Sequence, residues 1–507
     1  MYGKIKSACI QGIEGCSVDV EIDISNGLPQ FQIVGLPDSS IRESVERVRA
    51  AIKNSGFEFP LKRITVNLAP ADVRKEGSSF DLAIAAGVLC TSGQVCIQEL
   101  DQALFIGELA LDGAVKGIPG ILALVDHAKK TGIKRVYLSK ENMEEASIIA
   151  GIELIALDHL RQVTKDGNIV KHLRGKVIKA PTEPTELEDD FAEVKGHEHA
   201  KRALMIAAAG MHNILFIGPS GSGKTMLMRR FPSILPEMSE QEAMEVTKIY
   251  SITGQLKHRS RLMRSRPFRA PHHTISASGL IGGGRIPKPG EVSLAHQGVL
   301  FLDELPEFPR SALESLRQPI EDKMVTIARA SAVYSYPTRF LLAGSMNPCP
   351  CGYWGAETET HACSCSPIRV TAYRSKISGP LADRIDLQVE IPPVDYETAI
   401  PAKPGMSTAE MKRKVEAAHC IQLRRKQFNS ELKGKALGKY CSLPKSAQEL
   451  MREAFQVLGL SMRAYERVLR IARTIADLEH AEIINHEHVA EALQYRALDR
   501  KYKEVIR

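Results

Sequence analysis

Val18-Asp-Val-Glu-Ile-Asp-Ile24 alternates apolar and acidic residues, the period of a strand with one buried face. The period then changes. In Ser39–Asn54, Ile41, Val45, Val48 and Ile52 recur at helical spacing, with Asp38 or Ser39 able to cap the start and Gly56 following the end. Arg63–Leu68 reads as a further strand and Asp81–Leu89 as a short apolar helix. From Phe191 onward helix, strand, loop and helix follow in the order of a parallel α/β sheet. Past Ser407 the spacing is helical: Ala464, Val468, Ile471, Ala472 and Ile475 form one stripe, and Asn485 is placed to cap the last helix. These changes divide the chain into residues 1–168, a linker 169–190 carrying Pro181 and Pro184, a block 191–393 and a helical block 407–507. No run approaches the ~18 apolar residues of a membrane span, and the N-terminus lacks a signal-peptide core, so a cytoplasmic location is expected.

Within the second block, Asn213-Ile-Leu-Phe-Ile217 reads as a buried strand and runs into Gly218-Pro-Ser-Gly-Ser-Gly-Lys-Thr225. That is the P-loop pattern G-x-x-x-x-G-K-[ST], followed by a helical Met226–Phe231. Gly218, Gly221 and Gly223 let the loop turn so that, past Pro219, the backbone N–H groups of Ser220, Gly221 and Ser222 point toward phosphates. Lys224 reaches the β/γ oxygens and the Thr225 hydroxyl ligates Mg²⁺. A second strand, Gly298-Val-Leu-Phe-Leu-Asp-Glu304, ends in two carboxylates, 78 residues past Thr225. Asp303 is expected to hold Mg²⁺ through water, and Glu304 to act as general base on the attacking water. ATP and Mg²⁺ are therefore the expected cofactors.

Further motifs carry a resemblance. Gly196-His-Glu-His-Ala-Lys-Arg-Ala-Leu204, the P-loop, Gly298–Glu304, Asn347-Pro-Cys-Pro-Cys-Gly352 and Ser378-Gly-Pro-Leu-Ala-Asp-Arg-Ile-Asp386 resemble the YifB/ComM family of magnesium chelatase-like AAA+ proteins. Ile33–Asp38, Val66–Asp72 and Lys75–Asp81 resemble that family's N-terminal domain. The resemblance implies an α/β chain of three parts: a ribosomal-S5/Lon-protease-like α+β domain, an AAA+ P-loop parallel-sheet domain and a C-terminal helical lid. It implies that Asn347 is sensor 1, Arg384 an arginine finger reaching a neighbouring subunit in a hexameric ring, and Arg463 sensor 2. Lon-type proteolysis needs a serine and a lysine. Ser78 or Ser79 falls near the serine position, but the lysine position falls on Leu122, which cannot deprotonate a hydroxyl, so a non-proteolytic domain is expected.

Composition bounds the rest. At 507 residues, 44% hydrophobic and 25% charged, the chain suits two to four globular domains. The net charge of +7 is clustered: residues 255–290 hold eight Lys/Arg and no acid, and Lys412–Lys445 holds ten against Glu416 and Glu431. Such clusters suit phosphate backbones, or simply a solvated basic face. Arg285 and Lys288 lie in a glycine-rich insert, and Arg329 and Arg339 in a hairpin pattern whose Tyr334 and Tyr336 are candidate stacking surfaces for DNA. His272 and His273 are either a metal pair or locally hydrogen-bonded. Cys349-Pro-Cys351 and Cys363-Ser-Cys365 offer four thiolates for Zn²⁺, or remain reduced thiols in a loop. The resemblance and the basic inserts together imply an ATP-driven DNA motor, a helicase promoting branch migration in recombination or uptake of DNA. The alternatives are the ATPase subunit of a metal-chelatase-like complex and a regulatory protein with a protein partner.

Overall fold

Residues Glu14–Ser25 form one continuous strand in the computed structural model, longer than the alternating stretch that announces it. Val18, Val20, Ile22 and Ile24 are buried while Asp19, Glu21 and Asp23 face outward, so the period-2 pattern is realised as a one-sided strand. The structure describes residues 1–163, 190–256, 260–284, 287–329, 332–355, 357, 362–392 and 405–496, with only the backbone for Arg329 and Ala332. Contacts group the chain into two compact units. One comprises residues 1–182, 240–263 and 326–336; the other comprises 183–239, 264–325 and 337–507.

The first unit is α+β. Its seven-stranded sheet runs, in spatial order, Gln30–Val34, Arg63–Ala69, Glu14–Ser25, Tyr2–Gln11, Ala103–Phe105, Arg135–Ser139 and Glu153–Leu157. Glu14–Ser25 pairs antiparallel with both Arg63–Ala69 and Tyr2–Gln11, while Gln30–Val34 on Arg63–Ala69 and the strands beyond Tyr2–Gln11 pair in parallel. Helix Ser39–Asn54 starts as its sequence requires, with Asp38 accepting a hydrogen bond from the Ile41 N–H at 2.8 Å. Helix Asp81–Thr91 is apolar on nearly every side and is buried.

One charge lies inside this unit. Asp81 is almost fully enclosed and is held by Arg47, Nε to Oδ2 at 2.8 Å and Nη2 to Oδ1 at 3.2 Å. Burial lifts its carboxyl to about 6, while Arg47 and the Leu109 N–H pull the other way. Removing the guanidinium leaves the carboxylate enclosed with one N–H. Arg47→Ala is therefore expected to destabilise the unit by about 3 kcal/mol, read as a lowered urea midpoint at unchanged slope.

Two segments that lie within 191–393 in sequence pack in this first unit. Helix Glu240–Ile252 puts Lys248, which is 3% exposed, between Glu14 at 2.8 Å and Asp126 at 2.7 Å. It also bonds the Ser251 hydroxyl to Glu145 and the Ser251 carbonyl to the Gly120 N–H. The hairpin of Met324–Arg329 and Ala332–Pro337 is present as its pattern suggested. Its tyrosines correct an expectation. Tyr334 and Tyr336 are buried, and burial with Glu76 nearby pushes the Tyr334 hydroxyl up to about 12. They are packing residues rather than stacking faces, because apolar ring area is worth more removed from water than left exposed.

The second unit holds a five-stranded, wholly parallel sheet. Its spatial order is Phe268–Arg269, Val299–Leu302, Leu341–Met346, Ile214–Ile217 and Leu387–Glu390. The first strand in sequence, Ile214–Ile217, is next to last in space: the chain leaves it for the far edge at Phe268–Arg269, returns strand by strand to Leu341–Met346 at its side, and passes over it to Leu387–Glu390. The C-terminal helices Thr408–Arg425, Lys445–Leu458, Met462–Leu478 and His486–Gln494 share one core with this sheet and with helix Glu198–Gly210. Asn485 caps the last of them in a reciprocal capping box with His488. The buried Asp477 is fully engaged: Arg425 grips both oxygens at 2.8 Å and Asn429 donates at 2.7 Å. No described helix is long and apolar enough to cross a membrane.

Candidate nucleotide site and its neighbours

The register of the parallel sheet assembles the candidate site. Leu302 pairs with Gly344, and Ile217 pairs with Met346. One residue further along each strand, Asp303 comes beside Ser345 and Asn347 beside Gly218. Three loops that are far apart in sequence thus leave one sheet edge together.

Asp303 is held from two sides. The Thr225 hydroxyl donates to Oδ2 at 2.9 Å and the Ser345 hydroxyl to Oδ1. The fixed hydroxyl–carboxylate pair of Thr225 and Asp303 is a hard-oxygen donor set of the kind Mg²⁺ takes. Lys224 is buried at the root of the loop. Its ammonium donates to the Gly218 and Pro219 carbonyls at 2.8 and 2.7 Å and to Asn347 Oδ1 at 3.4 Å. Burial lowers its pKa, and the carboxylates of Asp303 and Glu304 oppose that shift. Ser222 braces the loop by donating to the Pro219 carbonyl at 2.9 Å. Gly223 sits at φ +80, a left-handed conformation that turns the chain into helix Lys224–Arg230 and that a side chain would strain.

Glu304 differs from its neighbour. Its side chain is 56% exposed, and its backbone is left-handed at φ +55, at a cost of about 1–3 kcal/mol for a non-glycine residue. Its N–H donates to Asp303 Oδ1 at 3.2 Å and Ser345 Oγ at 3.3 Å, which holds that backbone in place. Its carboxylate faces His273 Nδ1 at 3.8 Å, and the His273 ring lies on His272 with centroids 4.1 Å apart.

The structure therefore gathers Gly218–Thr225, Asp303, Glu304 and Asn347, and leaves other candidates apart. Arg384 pairs with Glu321 and donates to the Pro380 carbonyl at 2.6 Å. Arg463 is 72% exposed, 4.0 Å from Asp383. Arg467, one turn further along the same helix, is nearly buried and lies 3.4 Å from Asp386. Lys288 is exposed on a short strand paired with Gly282–Gly283. Arg339 is half exposed, 3.6 Å from Glu431. Arg285 and the linker up to residue 189 lie outside the described residues, and Arg329 is described only as backbone in its hairpin strand.

Sequence reading passed over Ser345 and His197. Ser345 has only its place at the end of an apolar strand as a signal. His197 stands in the quoted Gly196–Leu204 motif, and a methyl placed on Gly223 would lie 3.6 Å from its Nε2. In the first unit, the Ser78 hydroxyl donates to the Glu108 carboxylate and Leu122 is fully buried in a helix.

Cys349, Cys351, Cys363 and Cys365 bring their sulfurs within 4.8 Å of one another, the one such cluster of candidate metal ligands among the described residues. The Tyr353 N–H and the neighbouring thiols pull Cys351 down to about 6.

Three family descriptions match the chain: "Subunit ChlI of Mg-chelatase" over residues 20–142, "Magnesium chelatase, subunit ChlI" over 190–399, and "Magnesium chelatase, subunit ChlI C-terminal" over 405–496. The uncharacterized protein YifB of Escherichia coli K12 is 42% identical over 496 residues, 96% of each chain. The competence protein ComM of Haemophilus influenzae Rd is 41% identical over 503 residues, 98% of this chain and 97% of ComM. Lon protease 2 of Bacillus subtilis is 29% identical over 144 residues, 27% of this chain and 26% of the protease, in keeping with a Lon-like α+β domain. With near-complete overlap at this identity, the chain belongs to the YifB/ComM family of magnesium chelatase-like AAA+ proteins.

Proposed function

We propose that this protein is an ATP-hydrolysing motor that acts on DNA, working in the cytoplasm as a homo-hexameric helicase that promotes branch migration in recombination. The observation that carries the ATPase reading is the convergence of Lys224, Thr225, Asp303, Glu304 and Asn347 on one sheet edge. Phosphate oxygens accept from the loop N–H groups of residues 220–223 and from Lys224. Thr225 and Asp303 hold Mg²⁺, which supplies charge neutralisation on the transferring phosphoryl group. Glu304, exposed at the mouth, takes the proton of the attacking water, and Asn347 places that water. Arg384 serves a neighbouring subunit's site, and Arg463 acts as the lid's contact to nucleotide. The four-cysteine cluster takes Zn²⁺ as a further metal.

The DNA half of the reading rests on the ComM relative, whose name places it in competence, and on the basic insert. Exposed Lys288 and half-exposed Arg339, with Arg285 and Arg329, are the proposed backbone contacts. A second reading, the ATPase subunit of a metal-chelatase-like or regulatory complex, is favoured by the three chelatase descriptions. ATP turnover with and without a four-strand DNA junction separates them. The expected result is junction-stimulated hydrolysis and strand exchange, both lost in Lys224→Ala. Hydrolysis that ignores DNA and shows no junction migration would move the assignment to the second reading.

A further inference from the structure

The cysteine cluster has the dimensions of a single-ion site. Three of its sulfur pairs are Cys349–Cys351 at 3.3 Å, Cys351–Cys363 at 3.4 Å and Cys349–Cys363 at 3.8 Å. Four thiolates about 2.3 Å from one zinc ion stand about 3.8 Å apart at the corners of a tetrahedron. An iron–sulfur cluster would need its ligands spread more widely than sulfurs that all lie within 4.8 Å. Backbone donors are already aimed at the sulfurs: the Trp354 N–H at Cys349, 3.4 Å, and the Cys365 N–H at Cys363, 3.5 Å. Cys349 is fully buried and Cys365 nearly so, with Trp354 and Val370 packed against them.

The place of the cluster in the chain is what gives it a consequence. Cys349 is two residues past Asn347, the side chain that meets Lys224. The second cysteine pair leads through the cap Ser366 into helix Pro367–Arg374, and Arg374 at its end donates Nε to the Pro348 carbonyl at 3.0 Å. An ion joining the two pairs therefore closes a ring of chain that begins two residues past Asn347. Gly352 lies on that ring, left-handed at φ +91, and a methyl placed on it would be 3.8 Å from the Ser220 N–H of the phosphate loop. The knuckle thus lies within about one methyl group of the phosphate loop.

We infer that Cys349, Cys351, Cys363 and Cys365 bind one zinc ion, and that this zinc knuckle clamps the Asn347 loop against the phosphate loop so that zinc occupancy sets the rate of nucleotide hydrolysis. Binding releases the thiol protons, leaving a zinc tetrathiolate. The second half of the inference rests on the nucleotide reading above; the first half does not.

The test uses the full chain, purified without chelator. Zinc and iron are counted by elemental mass spectrometry. Deuterium uptake of residues 218–224 is followed without nucleotide, and ATP turnover is measured separately. One zinc per chain is expected, with exchange in 218–224 rising on chelation and turnover falling about tenfold or more, both restored by zinc. Cys363→Ser should lose the zinc, and Cys96→Ser, at an exposed cysteine outside the cluster, should change nothing. Because a serine variant can also lose its fold, the stripped and reloaded wild type carries the decision. A chain without zinc, or one holding iron, overturns the site. Zinc that leaves without changing either exchange or turnover overturns the clamp. Zinc-dependent protection of 218–224 in a chain that never hydrolyses ATP overturns the nucleotide reading and the rate effect, and leaves the metal site standing.

Discussion

Glu304→Gln is expected to slow ATP hydrolysis by about 10²–10⁴-fold while nucleotide affinity stays within about twofold. The amide keeps the size of the carboxylate but cannot accept the proton of water. The surrounding structure predicts the split between rate and affinity. Glu304 is more than half exposed and lies outside the Lys224 and Thr225 contacts, whereas its N–H, which the substitution preserves, ties it to Asp303 and Ser345. Single-turnover phosphate release and titration with a fluorescent nucleotide measure the two quantities separately. A variant that loses both together would show that Glu304 acts by holding the site's shape. The backbone at φ +55 offers a cross-check. Glu304→Gly should relieve strain and gain up to about 1 kcal/mol of stability while hydrolysing no faster than the glutamine variant.

Arg384→Ala is expected to lower turnover of the assembled protein by about 10³–10⁵-fold, the contribution of an arginine supplied in trans. In the isolated chain the guanidinium is turned to Glu321 and the Pro380 carbonyl, and its Nε is buried without a hydrogen-bond partner. Neither of those partners belongs to the Lys224 and Asp303 cluster. Mixing Arg384→Ala subunits with Glu304→Gln subunits should recover activity, because an intact Glu304 then meets an intact Arg384 across some boundaries. Arg384→Lys should recover little, since a lysine lacks the planar fork. If mixing restores nothing at any ratio while the subunits still assemble, Arg384 is a structural partner of Glu321.

The strongest local signals were legible from the chain alone. Alternation at Val18–Ile24, the helical stripe at Ile41–Ile52, the caps at Asp38 and Asn485, and the loop Gly218–Thr225 each depend on residues within a few positions of one another. Steric and hydrogen-bonding preferences act at that range, so local sequence suffices to state them. The carboxyl ends of the two buried strands could also be read, because four apolar residues followed by acids or by a glycine loop mark where a parallel strand meets its ligand edge.

What tertiary structure alone decided is of longer range. Ser345 becomes a partner of Asp303 only through the register between Val299–Leu302 and Leu341–Met346, and register belongs to the paired strands. The same holds for Tyr334 and Tyr336. Their sequence shows aromatic area, but whether that area meets a base or a protein core depends on what packs over it. Helix Glu240–Ile252 sits mid-chain among the nucleotide motifs, yet its Lys248 finds Glu14 and Asp126, over a hundred residues upstream. Sequence by itself thus determined which short motifs and local elements the chain carries. The sheet order and strand register decided which of those motifs share a site, because contact energy depends on distance in space and not along the chain.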